Sequence, residues 1–349
     1  MIPINNVRGH VIALLGTLTV IGCSADNGDV KTNADRVPSA SAVTSQGTSP
    51  SPTLRVVVLG SGTPIPSRSQ ASTTLLIEAG DEKILFDCGR GCGTRLNEYD
   101  PSLYARIDTL FFTHLHSDHI VGLPDIWLNG WSMGRQTPLR IYGPVGTASM
   151  LSGLREAYAA DIGYRTGYTS EEDPKALDQV VSEFGGAAQV FNVGDVTVTA
   201  FPVVHADIPA YGFRIDYKDH SVLISGDTTV APGLIEYGQD LDAALMEVLS
   251  PAMEATVRRQ FAPAKADAVV ALHLTAAQAG ETLAQMGPDL AVFYHTVATC
   301  QTDPDLLAQT QAHYDGALRV SRDLMVIDID GTGAPLSYRG EDPADCPPS

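Results

Sequence analysis

Residues 111–122 read FFTHLHSDHIVG, and His114, His116, Asp118 and His119 fall within six positions of one another. The chain holds nine histidines in 349 residues, so three in one short stretch is a concentration. Clustered imidazoles repel one another when charged and gain nothing by packing side by side. Metal ligation is the reading that explains them together. Imidazole nitrogens joined by a carboxylate suit Zn²⁺, and Fe or Mn less selectively. Residues of the same types recur singly downstream: His205 in FPVVHAD, Asp227 in ISGDTT, His273 in ALHLTAAQAGE and His295 in FYHTV. His220, in a turn-like DYKDHSVL, and His313, on a polar helical stretch, read as ordinary surface residues.

Short apolar and β-branched runs must carry these groups. They predict strands at 54–60, 72–80, 83–89, 107–114, 139–143, 195–204, 211–217, 221–227, 242–248, 289–295 and 324–330. Helical patterns fall at about 146–160, 174–183, 263–272, 275–286 and 304–315, with Thr275 as a cap and Gly287 as a stop. The histidine cluster follows a strand and leads into a helix, a turn where side chains converge on one point. Strands dominate early and helices intervene later, which predicts a layered α/β domain with mixed sheets. No repeat occurs at solenoid periods.

THLHSDH resembles the signature of the metallo-β-lactamase superfamily, and the chain is similar to its ribonuclease Z and arylsulfatase-like branch. The likeness spans residues 54–330: LGSGTPIP and LFDCGRG precede the signature, and His205, Asp227 and His295 follow it, each after a predicted strand. The resemblance implies an α/β fold, a four-layer αββα sandwich, with two divalent metal ions, zinc first and Mn or Fe as alternatives. It implies His114, His116 and His205 as ligands of one ion, Asp118, His119 and His295 of the other, and Asp227 as the bridging carboxylate. Such a pair lies about 3.5–4 Å apart and brings a bridging water toward neutral pKa, giving a hydroxide that attacks an ester. Asp118 is read as ligand, as orienting group for the hydroxide, or both. Asp87, in FDCG, supports the site from behind the ligands. His273, in a His-x-Thr segment, is implied to stabilise the transition state or protonate the leaving oxygen. Glu247, in LMEVLS, is implied to orient it, although Val-Leu stands here where the family has Ala-Thr. The catalytic set is thus expected to be His273, Asp118 and Glu247.

Formal net charge is −19 and the pI about 4.7, with no basic run of five residues. Such a surface repels phosphate backbones at long range, so a nucleic-acid partner is not expected. The tRNA-processing members carry a long arm between the third histidine and the bridging aspartate. Here 22 positions separate His205 from Asp227, enough for a strand and a hairpin. Residues 144–190 are read as an insertion forming a lid, with Tyr164, Tyr168, Trp127 and Trp131 as its candidate walls and core packing as the equal alternative for the two tryptophans. The expected protein is an exported dinuclear metal hydrolase of a small ester, a phosphodiester or aryl sulfate, and family members often pair as homodimers. The rivals are a ribonuclease Z-type tRNA 3′-end endoribonuclease and a non-catalytic metal- or ligand-binding lipoprotein.

Residues 11–21 form an apolar run after Arg8, too short to span a bilayer but fitting a signal-peptide core. The following VIGC resembles the bacterial lipoprotein signal, which implies lipidation of Cys23 and, with Ser24 next, transfer to the outer membrane. The domain reading is then a leader over 1–22, a flexible tether over 23–52, a hydrolase domain over 53–335 and a tail over 336–349. The expected location is the bacterial cell envelope, lipid-anchored, in the periplasm or at the outer membrane. In that compartment Cys300 is expected to pair with Cys346 and Cys88 with Cys92, free thiols being the alternative.

Overall fold

Alternation of buried side chains along the first strand shows how the layers arise. Val56 and Val58 enter one core, shared with Phe213 and Ile215, while Val57 and Leu59 enter another, shared with Leu96 and Trp127. A strand buried on both faces needs a partner layer on each side. Each fully buried Val or Leu contributes about 1.5–3 kcal/mol.

The structure is a computed structural model that describes residues 54–168, 174–298 and 304–330. The leader, the tether, the tail and Cys23, Cys300 and Cys346 lie outside the described residues. The strands are β1 (Leu54–Gly60), β2 (Thr74–Ala79), β3 (Glu82–Phe86), β4 (Thr109–Phe111), β5 (Leu139–Pro144), β6 (Gln179–Phe184) and β7 (Gln189–Val193). They continue as β8 (Val196–Pro202), β9 (Tyr211–Tyr217), β10 (His220–Ile224), β11 (Ala243–Leu249), β12 (Leu290–Val297), β13 (Leu318–Val320) and β14 (Met325–Ile329). The helices are α1 (Cys92–Tyr99), α2 (Ser117–Ile120), α3 (Leu123–Ser132), α4 (Thr147–Ala157) and α5 (Ala159–Tyr168). After them come α6 (Pro232–Tyr237), α7 (Pro251–Gln260), α8 (Pro263–Val270), α9 (Ala276–Met286) and α10 (Pro304–Gln311).

One sheet runs β14-β1-β2-β3-β4-β5-β6 and the other β13-β12-β11-β10-β9-β8-β7. Their inner faces share one core, and separate cores lie under α1 and α3 on one side and under α6 and α9 on the other. This is the four-layer α/β sandwich expected. In the first sheet β3 through β6 run parallel, and in the second β10 through β13 do. The loops leaving parallel strands at their carboxyl ends gather at one rim, the usual place for a site in such sheets.

Two sequence expectations need correction. The helix expected at 174–183 is a single 3-10 turn, Pro174–Leu177, followed by strand β6, whose Val180 and Val181 are β-branched and pair in parallel with β5. Residues 144–190 therefore include part of both sheets and are not only a lid. Trp127 and Trp131 follow the core-packing alternative rather than the lid: both are buried in α3 beneath the first sheet, and Trp127 Nε1 donates to Leu177 O at 2.9 Å. Tyr164 on α5 is exposed, and the side chain of Tyr168 lies outside the described residues. The strands β7 and β13 are additions that the sequence patterns did not reveal.

Candidate metal centre

Backbone geometry brings the groups to one rim. Asp87 follows β3 with φ +58°, a left-handed conformation that aspartate tolerates better than most residues. Thr113 and His114 follow β4, and α2 then carries Asp118 and His119 on its single turn. His205 follows β8 and Asp227 follows β10, where Gly226 has φ +63°. A Cβ at Gly226 would sit 2.6 Å from Tyr211 O, so only glycine allows that approach. Between β11 and β12 the register shifts at Met246/Glu247, so Glu247 pairs with His295 and Tyr294 is the extra residue. The two sheets are tied at the rim by Tyr211 N donating to Thr113 O at 3.0 Å.

The donor atoms form two groups that meet at Asp227. Ligand atoms of His114, His116 and His205 lie within 4.8 Å of one another, as do those of Asp118, His119 and His295. Asp227 Oδ2 is 4.0 Å from Nε2 of both His114 and His205, whereas its Oδ1 is 3.4 Å from His119 Nε2 and 3.3 Å from His295 Nε2. Asp118 Oδ2 is 3.7 Å from His119 Nε2 and 3.8 Å from His295 Nε2. All of these except His116 are buried. Nonetheless Nε2 of His114, His119 and His295 and Oδ1 of Asp227 make no hydrogen bond of proper geometry. Buried polar atoms without partners are costly. Several aimed at one another, nitrogens with nitrogens and a carboxylate, fit divalent metal, and the donor set of imidazole and carboxylate matches its chemistry.

Charge within the cluster follows the same plan. Burial, then the neighbouring His119, holds His114 well below the usual imidazole range. Burial also works against protonated His119, but Asp227 and Asp87 outweigh it and lift the group well above that range. Asp227 pays a burial cost as an anion, yet His295 and His119 hold its carboxyl well below the usual range.

Beside this cluster stand His273 and Glu247. A ring nitrogen of His273 lies within 4.8 Å of ligand atoms of His205 and Asp227. Its Nδ1 is 3.1 Å from Glu247 Oε2. Burial lowers the His273 pKa, but Glu247, Asp227 and Asp118 more than offset it, and the group is pushed up to about 9. Glu247 is fully buried, its Oε1 accepting from Leu274 N at 2.8 Å and Thr228 N at 3.4 Å. The Val-Leu that follows Glu247 therefore leaves its contact with His273 in place. Thr275 and Gln278 form a capping box that fixes the start of α9 just beyond His273.

Several participants were missed in the sequence. Leu272 O lies 2.8 Å from His205 Nδ1, and a backbone carbonyl carries no sequence signal. Asp323, before β14, accepts from Ser61 N at 2.9 Å and Ser61 Oγ at 2.8 Å through one oxygen, and from Ala71 N and Arg95 Nε at 2.7 Å through the other. It clasps both ends of the GTPIP-containing loop, but 252 positions separate it from Ala71. Cys88 and Cys92 are free and buried, so the pair expected as a bridge remains two thiols. His220 Nδ1 is 3.1 Å from Asp242 at the β9–β10 hairpin, and His313 is 3.7 Å from Glu281, both remote from the cluster in the interactions they make.

A profile of the beta-lactamase superfamily domain matches residues 82–296. Ribonuclease Z of Mycobacterium avium (strain 104) is 30% identical over 284 residues, covering 79% of this chain and 99% of that protein. Ribonuclease Z of Mycolicibacterium gilvum (strain PYR-GCK) is 29% identical, covering 79% of this chain and 96% of that protein. Among solved structures, human tRNase Z, short form, aligns with TM-score 0.59 at 22% identity over 79% of this chain and 99% of its own. The metallo-beta-lactamase fold protein YhfI from Bacillus subtilis aligns with TM-score 0.59 at 20% identity, covering 78% and 98%. The ribonuclease relatives overturn the expectation that nucleic acid is excluded as a partner: net charge describes the whole surface at long range, and it does not decide what a local site accepts. With the sandwich, the ordered histidine and aspartate segments and a profile match that runs from β3 to His295, the chain belongs to the beta-lactamase superfamily.

Proposed function

We propose that the protein is a metal-dependent phosphodiesterase of the ribonuclease Z type, cutting a phosphodiester bond of RNA. The observation that carries this reading is Asp227, whose two oxygens face different histidine groups. Similarity to ribonuclease Z over 79% of this chain and 99% of that protein supports the choice of RNA. His114, His116 and His205 would hold one ion, Asp118, His119 and His295 a second, with Asp227 shared and zinc preferred by the donor set. Divalent metal held there supplies Lewis-acid charge that acidifies water and offsets negative charge on an ester under attack. Asp118 and Asp227 would add anionic charge that offsets the charge of cations held there. His273 keeps a proton beside the reacting centre, and Glu247 fixes the ring through Nδ1. The leaving oxygen can take that proton from the free ring nitrogen as the bond to phosphorus breaks.

Aryl sulfate or small phosphodiester cleavage would use the same groups. The observation favouring that narrower range is that only the β9–β10 hairpin separates His205 from Asp227. A precursor tRNA with a 3′ trailer, bis(nitrophenyl) phosphate and nitrophenyl sulfate, each incubated with zinc-loaded protein, decide among them. Trailer removal that is lost in Asp227→Ala supports the ribonuclease reading. Turnover of the small esters alone replaces it, and full metal loading with no turnover of any substrate sinks catalysis altogether. We propose further that Cys23 carries lipid and anchors the chain in the cell envelope; unchanged membrane association in Cys23→Ser would refute it.

A further inference from the structure

The hydroxyl of Thr113 lies between a carboxylate and two histidines from different groups. Asp87 and Thr113 are both buried, and Thr113 N donates to Asp87 Oδ1 at 2.9 Å. Thr113 Oγ1 is 2.9 Å from Asp87 Oδ2, 3.0 Å from His114 Nδ1 and 3.3 Å from His119 Nδ1. His119 Nδ1 is itself 2.8 Å from Asp87 Oδ2.

A hydroxyl has one hydrogen to give. An ionised carboxylate only accepts, so Thr113 Oγ1 must donate to Asp87. Turning that hydrogen toward His114 would leave oxygen lone pairs facing each other at 2.9 Å. His114 Nδ1 must then carry its own hydrogen and donate to Oγ1. That leaves His114 Nε2 bare, the atom 4.0 Å from Asp227. By the same logic His119 donates from Nδ1 to Asp87, so Nε2 is the nitrogen it turns toward Asp118 and Asp227.

We infer that Thr113 is a positioning residue: its hydroxyl relays Asp87 to His114, so that one buried carboxylate sets the nitrogen presented by a histidine of each metal group. His205 differs, since a backbone carbonyl, Leu272 O, orients it. The inference rests on the proposed metal site, and it predicts that loss of one hydroxyl is felt first at the His114, His116, His205 group. Partners of this kind are typically worth 10- to 100-fold in metal affinity.

The test uses Thr113→Val and Thr113→Ser in the full chain. Zinc affinity is measured by competition with a chromophoric chelator, stoichiometry by elemental analysis, and ligand geometry by the visible spectrum of the Co²⁺-substituted protein. Valine keeps the shape and loses the hydroxyl; serine keeps the hydroxyl and loses the methyl. The expected result is a 10- to 100-fold weaker site with an altered Co²⁺ spectrum in Thr113→Val, and near-normal binding in Thr113→Ser. Normal affinity in Thr113→Val overturns the relay, and so does equal loss in both, because serine retains the hydroxyl. Melting of the metal-free proteins checks the fold, and Thr113→Ala replaces the valine variant should that one not fold. Wild-type protein that binds no zinc would refute the metal site itself, and the relay with it.

Discussion

Two residues at the centre separate metal binding from proton transfer. Asp227→Ala removes the carboxylate shared by both groups, so bound metal and activity are expected to fall together. His273→Ala leaves that ligand set intact, and its expected signature is full metal content with a rate lower by roughly 10²–10⁴-fold. Elemental analysis beside steady-state rates tells the two apart. A pH effect follows from the same histidine. Its pKa is raised from 6.5 to about 9, so the proton it is proposed to donate is held below that range and lost above it. Bound cations would take up the charge of Asp118 and Asp227, leaving Glu247 as the main support. The alkaline limb of the rate profile is therefore expected between 6.5 and about 9, and it should vanish in His273→Ala. A limb that persists unchanged in that variant would place the titrating group elsewhere.

Elements gave up their identity to the sequence unevenly, and the reasons are physical. Strands buried on both faces, such as β1 and β11, are continuous apolar runs bounded by turns and could be read directly. The segment 174–183 could not, because β6 is partly exposed and mixes polar with β-branched residues. Its state is set by pairing with β5, a contact across more than thirty positions. The candidate metal ligands were legible because each follows a readable strand, whereas Asp323 acts through contacts that only the fold creates. Its removal tests the loop that it clasps. Asp323→Ala leaves Arg95 still paired with Glu98 but removes the acceptor of Ala71 N. An unsatisfied buried group costs about 1–3 kcal/mol. Lower stability with faster amide exchange over residues 61–71, at unchanged zinc content, is expected; exchange spread evenly over the chain would contradict the local role.

At the scale of the whole molecule, a net charge of −19 and the proposed RNA substrate oppose each other. Basic nucleic-acid binders weaken as salt rises, through counterion release. Here added salt first screens repulsion, with a Debye length of about 8–10 Å at 0.1–0.15 M. For RNA, kcat/KM is expected to rise with KCl over the low range, while the value for bis(nitrophenyl) phosphate changes little. A steep monotonic fall with salt would reveal a local basic track that outweighs the overall charge. The two thiols have a consequence of another sort. Cys88 accepts its backbone bond from Gly122 and donates to His119 O, so it is stitched to the turn that carries Asp118 and His119. Cys92 sits at the start of α1 in the core below. Neither sulfur can meet a reagent until that layer parts from the sheet, so alkylation of this pair works as a clock for opening beneath the metal centre. Followed by peptide mapping, the clock should run slower when zinc is added, by the factor with which zinc favours the closed form. Chemistry that plays no part in the reaction would thereby report how tightly the reaction centre is held shut.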